Sequence, residues 1–194
     1  TQYLYQGYIS APHTIYKNVF KLPLKNILTV RKNDRPNFKI YNKDLFFEKL
    51  IFSNKHFQIS YLDKMISDCV KDRLISDVPL GCFLSGGVDS TLVTYYAKKY
   101  SSKDISTFTA SYNNKQYDES DRAYRLADYL KTNHYQVSVD ESDFFNLIQD
   151  LPKVYDEPFG DPSQIPLHFL LKSARKEAKV ILTGDGGDEL FGGY

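Results

Sequence analysis

The sequence predicts an α/β protein in which a parallel sheet carries helices on both faces. From about residue 79 onward, short apolar strands alternate with amphipathic helices, and this alternation is typical of parallel sheets with helical crossovers. Two glycine-rich loops that carry acidic residues each follow a predicted strand. Ligands of such sheets bind beyond the carboxyl ends of the strands, so both loops are predicted to lie at a ligand site.

The first part of the chain, residues 1 to about 43, has a different pattern. The stretches "TIYKNVFKL" and "ILTV" are rich in β-branched and aromatic residues, and Pro12, Pro23 and Pro36 interrupt them. This composition predicts short strands. We therefore place a domain boundary between residues 43 and 44, which divides the chain into residues 1–43 and 44–194.

A helix is predicted to begin at Ser60 and to end before Val78-Pro79. Ser60 and Asp63 resemble a capping box in which Asp replaces the usual Glu. The apolar residues that follow recur at helical spacing; they are Leu62, Met65, Ile66, Cys69, Val70 and Leu74.

Strands and helices then alternate along the rest of the chain. The predicted strands are "LGCFL", "STFTASY", "HYQVSV" and "KVILT". The predicted helices are "STLVTYYAKKY", "DESDRAYRLADYL", "ESDFFNLIQDL" and "LHFLLKSARKEA". In this part the apolar runs have strand length and the periodic segments have helix length.

Composition excludes several classes of protein. The net charge of +1 provides no global field that would recruit nucleic acid, and no run of about 18 apolar residues predicts a membrane span. Cys69 and Cys82 lie in apolar patterns and suggest buried thiols in a reducing, cytoplasmic compartment. Because the sequence begins without Met and ends in "FGGY", we expect a fragment of a longer protein.

The first glycine-acid loop is "SGGVDS", residues 85–90. Gly86 and Gly87 allow backbone N–H groups to approach a ligand closely, and the helix that follows offers the positive end of its dipole. Ser85 and Ser90 supply hydroxyl groups. Asp89 would repel phosphates unless a hard cation such as Mg²⁺ lay between them. A plain glycine turn capped by Asp89 remains an alternative.

The second loop, "TGDGGDELFGGY", covers residues 183–194 and follows the strand "KVILT". Asp185, Asp188 and Glu189 can complete a metal site or act as a base. A solvated turn rich in Asp residues is the alternative. Two such loops after strands of one sheet favour a shared ligand site.

These motifs resemble a known family. "SGGVDS" is similar to the PP-loop of ATP pyrophosphatases, and together with "TGDGGDELFGGY", "YDESDRAYRLADYLKTNHYQV" and "DEPFGDPSQIPLHFL" it resembles the synthetase domain of glutamine-hydrolysing asparagine synthetases. The opening "YLYQGYISAPHTIYKNVFKLP" resembles the last strands of that family's glutaminase domain. The resemblance implies a PP-loop, adenine nucleotide α-hydrolase-like fold for residues 44–194 and an incomplete glutaminase domain in residues 1–43.

The resemblance also implies a reaction, that of a carbon–nitrogen ligase with glutamine as nitrogen donor. Aspartate attacks ATP to form β-aspartyl-AMP and pyrophosphate, and ammonia from glutamine then yields asparagine and AMP. A homodimer is compatible with it. Two alternatives stay open: an amidotransferase that acts on another carboxylate, such as a sugar acid or a peptide, and a truncated nucleotide-binding domain without turnover. We expect the fragment alone to be inactive, because the family's glutaminase Cys and a catalytic Lys lie outside it.

Roles carry over from the family by position. Matches to pyrophosphate and nucleotide contacts are Leu84, Ser85, Gly86, Gly87, Asp89, Ser90, Ala110, Thr183 and Gly184. Asp89 and Asp188 match the Mg²⁺ ligands. Asp185 stands where the family often has Glu, the base for the attacking ammonia.

Three further residues are ambiguous from sequence alone. Glu157 can orient substrate or line the ammonia route, and a solvated loop acid is an equal alternative. Asp118 and Glu119 open a helix, where capping and a substrate role are both possible.

Overall fold

The computed structural model describes residues 2–41, 54–116 and 118–193. The chain divides into two compact units. The first unit comprises Thr1–Ile51 and Ile148–Pro162, and the second comprises Phe52–Leu147 and Ser163–Tyr194. The predicted boundary between residues 43 and 44 lies outside the described residues.

Helices and strands are numbered here in chain order. The helices are α1 (Gln2–Gln6), α2 (Lys55–Arg73), α3 (Val88–Tyr100), α4 (Ser120–Leu130), α5 (Glu141–Ile148), α6 (Leu151–Val154), α7 (Gln164–Ala174) and α8 (Gly187–Phe191). The strands are β1 (Asn26–Thr29), β2 (Asn37–Ile40), β3 (Leu80–Phe83), β4 (Ser106–Tyr112), β5 (Asn133–Val139) and β6 (Val180–Leu182).

The second unit is built on a four-stranded sheet in the order β5-β4-β3-β6. All neighbouring strands in it are parallel, as the alternation of strands and helices predicts. Cys82 of β3 pairs with Leu182 of β6, so the carboxyl ends of these two strands are adjacent. The loops that follow β3 and β6 therefore emerge side by side.

Helices cover both faces of this sheet, which confirms the predicted fold class. Cys82 packs in a buried cluster with residues of α2 and α3. Phe108 of β4 points to the opposite face because side chains alternate along a strand, and its ring stacks on Tyr135 with 5.2 Å between centroids. Helix α7 contacts β4 and β5. Among the described residues, no helix is both long and apolar enough to cross a membrane.

The start of α2 differs from the prediction. The helix begins at Lys55, and the side-chain oxygen of Asn54 accepts a hydrogen bond of 3.0 Å from the N–H of Phe57. Asn is a favoured N-cap residue, and apolar periodicity alone did not reveal it. Asp63 instead accepts a hydrogen bond from Tyr96, so the predicted capping box is wrong. Cys69 on α2 is exposed, contrary to expectation, whereas Cys82 is buried.

The first unit contains fewer strands than the sequence suggests. "ILTV" largely matches β1, which pairs antiparallel with β2. Residues 14–22, all of them described, form no strand. Thr14 donates a hydrogen bond of 2.8 Å to the carbonyl of Val19, and this local bond competes with an extended ladder. The segment that the sequence predicts as one helix over residues 141–151 is divided between α5 and α6.

Candidate functional site

The loops after β3 and β6 line one cleft in the second unit, with a volume of about 800 Å³. Most of the residues predicted from the two motifs lie along it. They are Ser85, Gly87, Asp89, Ser90, Thr183, Gly184, Asp185 and Asp188. The parallel pairing of β3 with β6 brings them together, although the 92 residues 91–182 separate the two loops in the chain.

The first loop is held by its own serines. The hydroxyl groups of Ser85 and Ser90 lie 3.0 Å apart, and the hydroxyl of Ser85 accepts a 3.3 Å bond from the N–H of Gly87. Gly86 has a φ of 87°, which favours glycine. These contacts fold the loop tightly against the start of α3.

The N-cap of α3 is Gly87, and no side chain caps the helix. Asp89 lies in the first turn, so the alternative of a glycine turn capped by Asp89 does not describe this loop. A helix start without a capping side chain leaves N–H groups available for an external acceptor. Such an end favours anions through its dipole, by about 0.3–1 kcal/mol.

The second loop packs against the first through glycines. A Cβ atom added to Gly184 would lie 2.8 Å from the backbone nitrogen of Ser90 and 3.1 Å from the Cβ of Asp89. A Cβ atom on Gly187 would overlap the carboxylate of Asp89. At Gly184 and Gly187 the glycines therefore allow a close approach between the loops, which an isolated solvated turn would not need.

Asp89 and Asp188 both face this cleft, as do Asp185, Glu189 and Glu119. None of the described residues that line the cleft is Lys, Arg or His. The described part of the chain contains no cluster of three or more His, Cys, Asp or Glu residues arranged for a metal ion. Magnesium is usually held by one or two protein carboxylates together with substrate phosphates. The donor set of Asp89 and Asp188 therefore fits a magnesium ion that arrives with a polyphosphate.

Three predicted contacts lie beside the cleft and do not line it. Leu84 is fully buried, and its N–H donates a 3.0 Å bond to the carbonyl of Phe108. Ala110 lies in β4, paired with Val137. Gly86 faces α4, where the stem of Arg122 would lie 3.0 Å from an added Cβ.

Glu157 lies in the first unit and forms an ion pair with Lys21. The ammonium group of Lys21 also donates a 2.6 Å bond to the carbonyl of Ile9. The second carboxylate oxygen of Glu157 is buried without a hydrogen-bond partner. Glu157 is therefore not a solvated loop acid, and its role at a substrate or ammonia route stays a prediction.

The structure separates the roles of Asp118 and Glu119. Asp118 accepts hydrogen bonds from the N–H and hydroxyl of Ser120, at 3.2 and 3.0 Å, and thereby caps the start of α4. Glu119 makes no cap bond and lines the cleft. Capping by the preceding acid leaves Glu119 to face the cleft, and composition alone did not distinguish the two.

The site lies in the part of the chain that matches a family model described as asparagine synthase, residues 61–194. A relative from Methanocaldococcus jannaschii, whose name places it among the glutamine-hydrolysing asparagine synthetases, is 40% identical over 193 residues, which cover 99% of this chain and 37% of that protein. Asparagine synthetase 1 of Bacillus subtilis is 33% identical over 196 residues, which cover 100% of this chain and 30% of that protein. The chain thus spans about a third of the length of these relatives.

Among solved structures, the chain is similar to NMN synthetase from Francisella tularensis. The identity is 17% and the TM-score is 0.49, over 70% of this chain and 58% of that one.

Proposed function

This chain belongs to the asparagine synthase family, and from that premise we propose that it is the nucleotide-binding part of an ATP-dependent ligase that amidates aspartate. In the proposed reaction, the side-chain carboxylate of aspartate attacks the α-phosphate of ATP, which gives β-aspartyl-AMP and pyrophosphate. Ammonia derived from glutamine then displaces AMP and forms asparagine. The observation that carries the proposal is the interlocking of two glycine-acid loops around one cleft, with Asp89 and Asp188 on it.

The first loop is proposed to hold the phosphates of ATP. Its support is the start of α3, where the N-cap is Gly87 and the helix has no side-chain cap. The hydroxyl groups of Ser85 and Ser90 lie on the same cleft and can donate to phosphate oxygens. Backbone donors and hydroxyls together orient the α-phosphate for attack by the acceptor.

Magnesium is proposed to bind between Asp89, Asp188 and the phosphates. A bound magnesium ion would neutralise phosphate charge and favour departure of pyrophosphate. The acidic lining of the cleft requires such a counter-charge, because five carboxylates facing a polyphosphate would otherwise repel it.

Asp185 is proposed as the base that takes a proton from the attacking ammonia. Its carboxylate lines the cleft, and its N–H donates a 3.4 Å bond to the hydroxyl of Thr183, which supports the bend of the loop. General base catalysis by a positioned carboxylate contributes about 10²- to 10⁴-fold to a rate. We also propose a cytoplasmic location, with which the free thiols of Cys69 and Cys82 are compatible.

One observation favours a second acceptor class. Asp185 is one methylene shorter than the Glu that the family often has there, so its carboxylate would extend less far into the cleft toward a bound acyl group. An amidotransferase that acts on a bulkier carboxylate, such as a sugar acid or a peptide, would use that extra space.

ATP–pyrophosphate exchange in the full-length protein distinguishes the acceptors. Aspartate-dependent exchange is the expected result, and exchange that requires another carboxylate would replace aspartate in the proposal. The variant Asp89→Asn is expected to lose exchange. Asp128→Asn is a matched control, because Asp128 pairs with Lys131 on an exposed surface where ion pairs contribute little. Nucleotide binding without any exchange would contradict the ligase assignment.

A further inference from the structure

Apart from the proposed magnesium ion, the cleft offers no positive charge to a polyphosphate, because the charged side chains among its described lining residues are all acidic. Basic side chains lie on the other side of the first loop. There Arg122 and Arg125 of α4 line a second hollow, of about 750 Å³, together with Gly86, Gly87 and Val88. We call this space the α4 hollow. Gly87 and Val88 line both the cleft and the α4 hollow, so the two spaces adjoin along the loop.

Helix α4 approaches the loop closely because residue 86 is glycine. A Cβ atom on Gly86 would lie 3.0 Å from Cγ and 3.2 Å from Cβ and Cδ of Arg122. The aliphatic stem of Arg122 therefore packs on the backbone of the loop. This contact holds the arginine beside the segment that is proposed to bind phosphates.

Neither guanidinium has an ion pair within the described residues, although two acids share the α4 hollow. Asp118 is engaged in capping, since its carboxylate accepts from the N–H and hydroxyl of Ser120. Asp121 is exposed in the first turn of α4. Two arginines beside a glycine loop thus keep donors available for another anion.

We propose that Arg122 and Arg125, with the backbone of Gly86–Val88, form a subsite for the pyrophosphate end of ATP. The fork of an arginine matches phosphate oxygens with two parallel hydrogen bonds. When the acceptor oxygen bonds to the α-phosphorus, the bond from that phosphorus to the bridging oxygen breaks. Its electron pair leaves with pyrophosphate, whose added charge the two guanidinium groups stabilise. This inference rests on the proposed function.

Binding of inorganic pyrophosphate tests the subsite directly. The dissociation constants of pyrophosphate, AMP and inorganic phosphate are measured by titration calorimetry on the full-length protein. The variants are Arg122→Met, Arg125→Met and the double variant. Methionine at position 122 keeps the aliphatic contact with Gly86. Arg175→Met is the matched control, because Arg175 is also exposed in the second unit and lines neither space.

The double variant is expected to bind pyrophosphate about 10- to 100-fold more weakly, as the loss of charged hydrogen bonds predicts. AMP affinity is expected to stay unchanged in all variants. Unchanged pyrophosphate affinity would overturn the subsite. A loss confined to inorganic phosphate would overturn the link to ATP. Since these measurements need no acceptor, they stay informative even if aspartate-dependent exchange is not found.

Discussion

Gly187 lies against the carboxylate of Asp89, so closely that a Cβ atom at position 187 would overlap its Oδ2 and Cγ atoms. Asp89 belongs to the loop after β3, and Gly187 begins α8 after β6. The carboxylate of Asp89 in the first loop therefore packs directly against the backbone of Gly187 in the second loop. This contact places the carboxylate of Asp89 beside the residue that directly precedes Asp188.

The substitution Gly187→Ala is expected to displace the carboxylate of Asp89 and to weaken Mg²⁺-dependent ATP binding. The added methyl group cannot be placed without moving Asp89 or the loop, because the overlap involves the carboxyl carbon as well as an oxygen. Loss of one charged ligand interaction predicts about 10- to 100-fold weaker binding. Calorimetric titration of ATP, with and without magnesium, measures the effect.

Gly192→Ala is the control for this experiment. Position 192 does not line the cleft and has open space around an added Cβ atom but a φ of 71°, so alanine there costs about 1–2 kcal/mol of backbone strain without touching Asp89. It should lower the unfolding midpoint and leave ATP affinity unchanged. Equal affinities in Gly187→Ala and the wild type would show that the contact does not position Asp89.

Substitution of Asp185 is expected to separate the two half-reactions. In Asp185→Asn, ATP–pyrophosphate exchange should persist, because the phosphate loop and Asp89 are unchanged. Transfer of nitrogen should fall by about 10²- to 10⁴-fold, as the loss of a general base predicts. Exchange and product formation are measured on the same preparation of the full-length protein.

Asp185→Glu tests whether the length of the side chain at position 185 affects nitrogen transfer. It restores the residue that the family often carries, so nitrogen transfer to aspartate should be retained or increased. Equal loss of exchange and transfer in Asp185→Asn would instead assign Asp185 to nucleotide binding.

Much of the fold could be predicted from the alternation of apolar strands and periodic helices in the sequence. The four strands of the second unit are short, apolar and separated by periodic helices, and each lies where alternation predicts it. The convergence of the two loops was also predictable, because parallel strands place their carboxyl ends on one edge. The strand order that makes β3 and β6 neighbours came only from the structure.

Other features depended on contacts that a linear pattern does not contain. Asn54 begins α2 through one hydrogen bond, well before the apolar periodicity starts. The sequence pattern predicts that Arg122 is an ordinary surface residue of an amphipathic helix, yet the aliphatic part of its side chain packs on Gly86. Pairing of Glu157 with Lys21 joins residues far apart in sequence, which single-sequence reasoning could not connect.

The two cysteines are expected to differ sharply in reactivity. Cys69 is exposed, whereas Cys82 is completely buried. Burial raises the pKa of the Cys82 thiol from 9.0 to about 12, and a hydrogen bond with Thr94 offsets this only in part. Because the thiolate is the reactive form, Cys82 should react at least about 10³-fold more slowly than Cys69 at pH 8.

Thiol labelling at pH 8, followed by peptide mass spectrometry, measures this difference. The peptide that contains Cys69 should be labelled in the native protein, and the peptide that contains Cys82 only in denaturant. Cys69→Ser should remove the fast phase and leave the slow one. Rapid labelling of Cys82 in native Cys69→Ser would contradict its place in the core between the sheet and α3.

The contact between Tyr96 of α3 and Asp63 of α2 is expected to make stability depend on pH in the alkaline range. Burial of Tyr96, followed by its hydrogen bond to Asp63, raises the pKa of the phenol from 10.0 to about 12. Folding therefore favours the protonated phenol, so this stabilisation is complete below pH 10 and is lost as the pH rises through about 12. Tyr96→Phe should lower the free energy of unfolding by about 1 kcal/mol at pH 8 and should remove this alkaline loss.

Urea unfolding of both proteins between about pH 8 and pH 11.5 measures the difference, which should shrink as the pH rises. A difference that stays constant across this range would show that the hydrogen bond does not couple the phenol to folding.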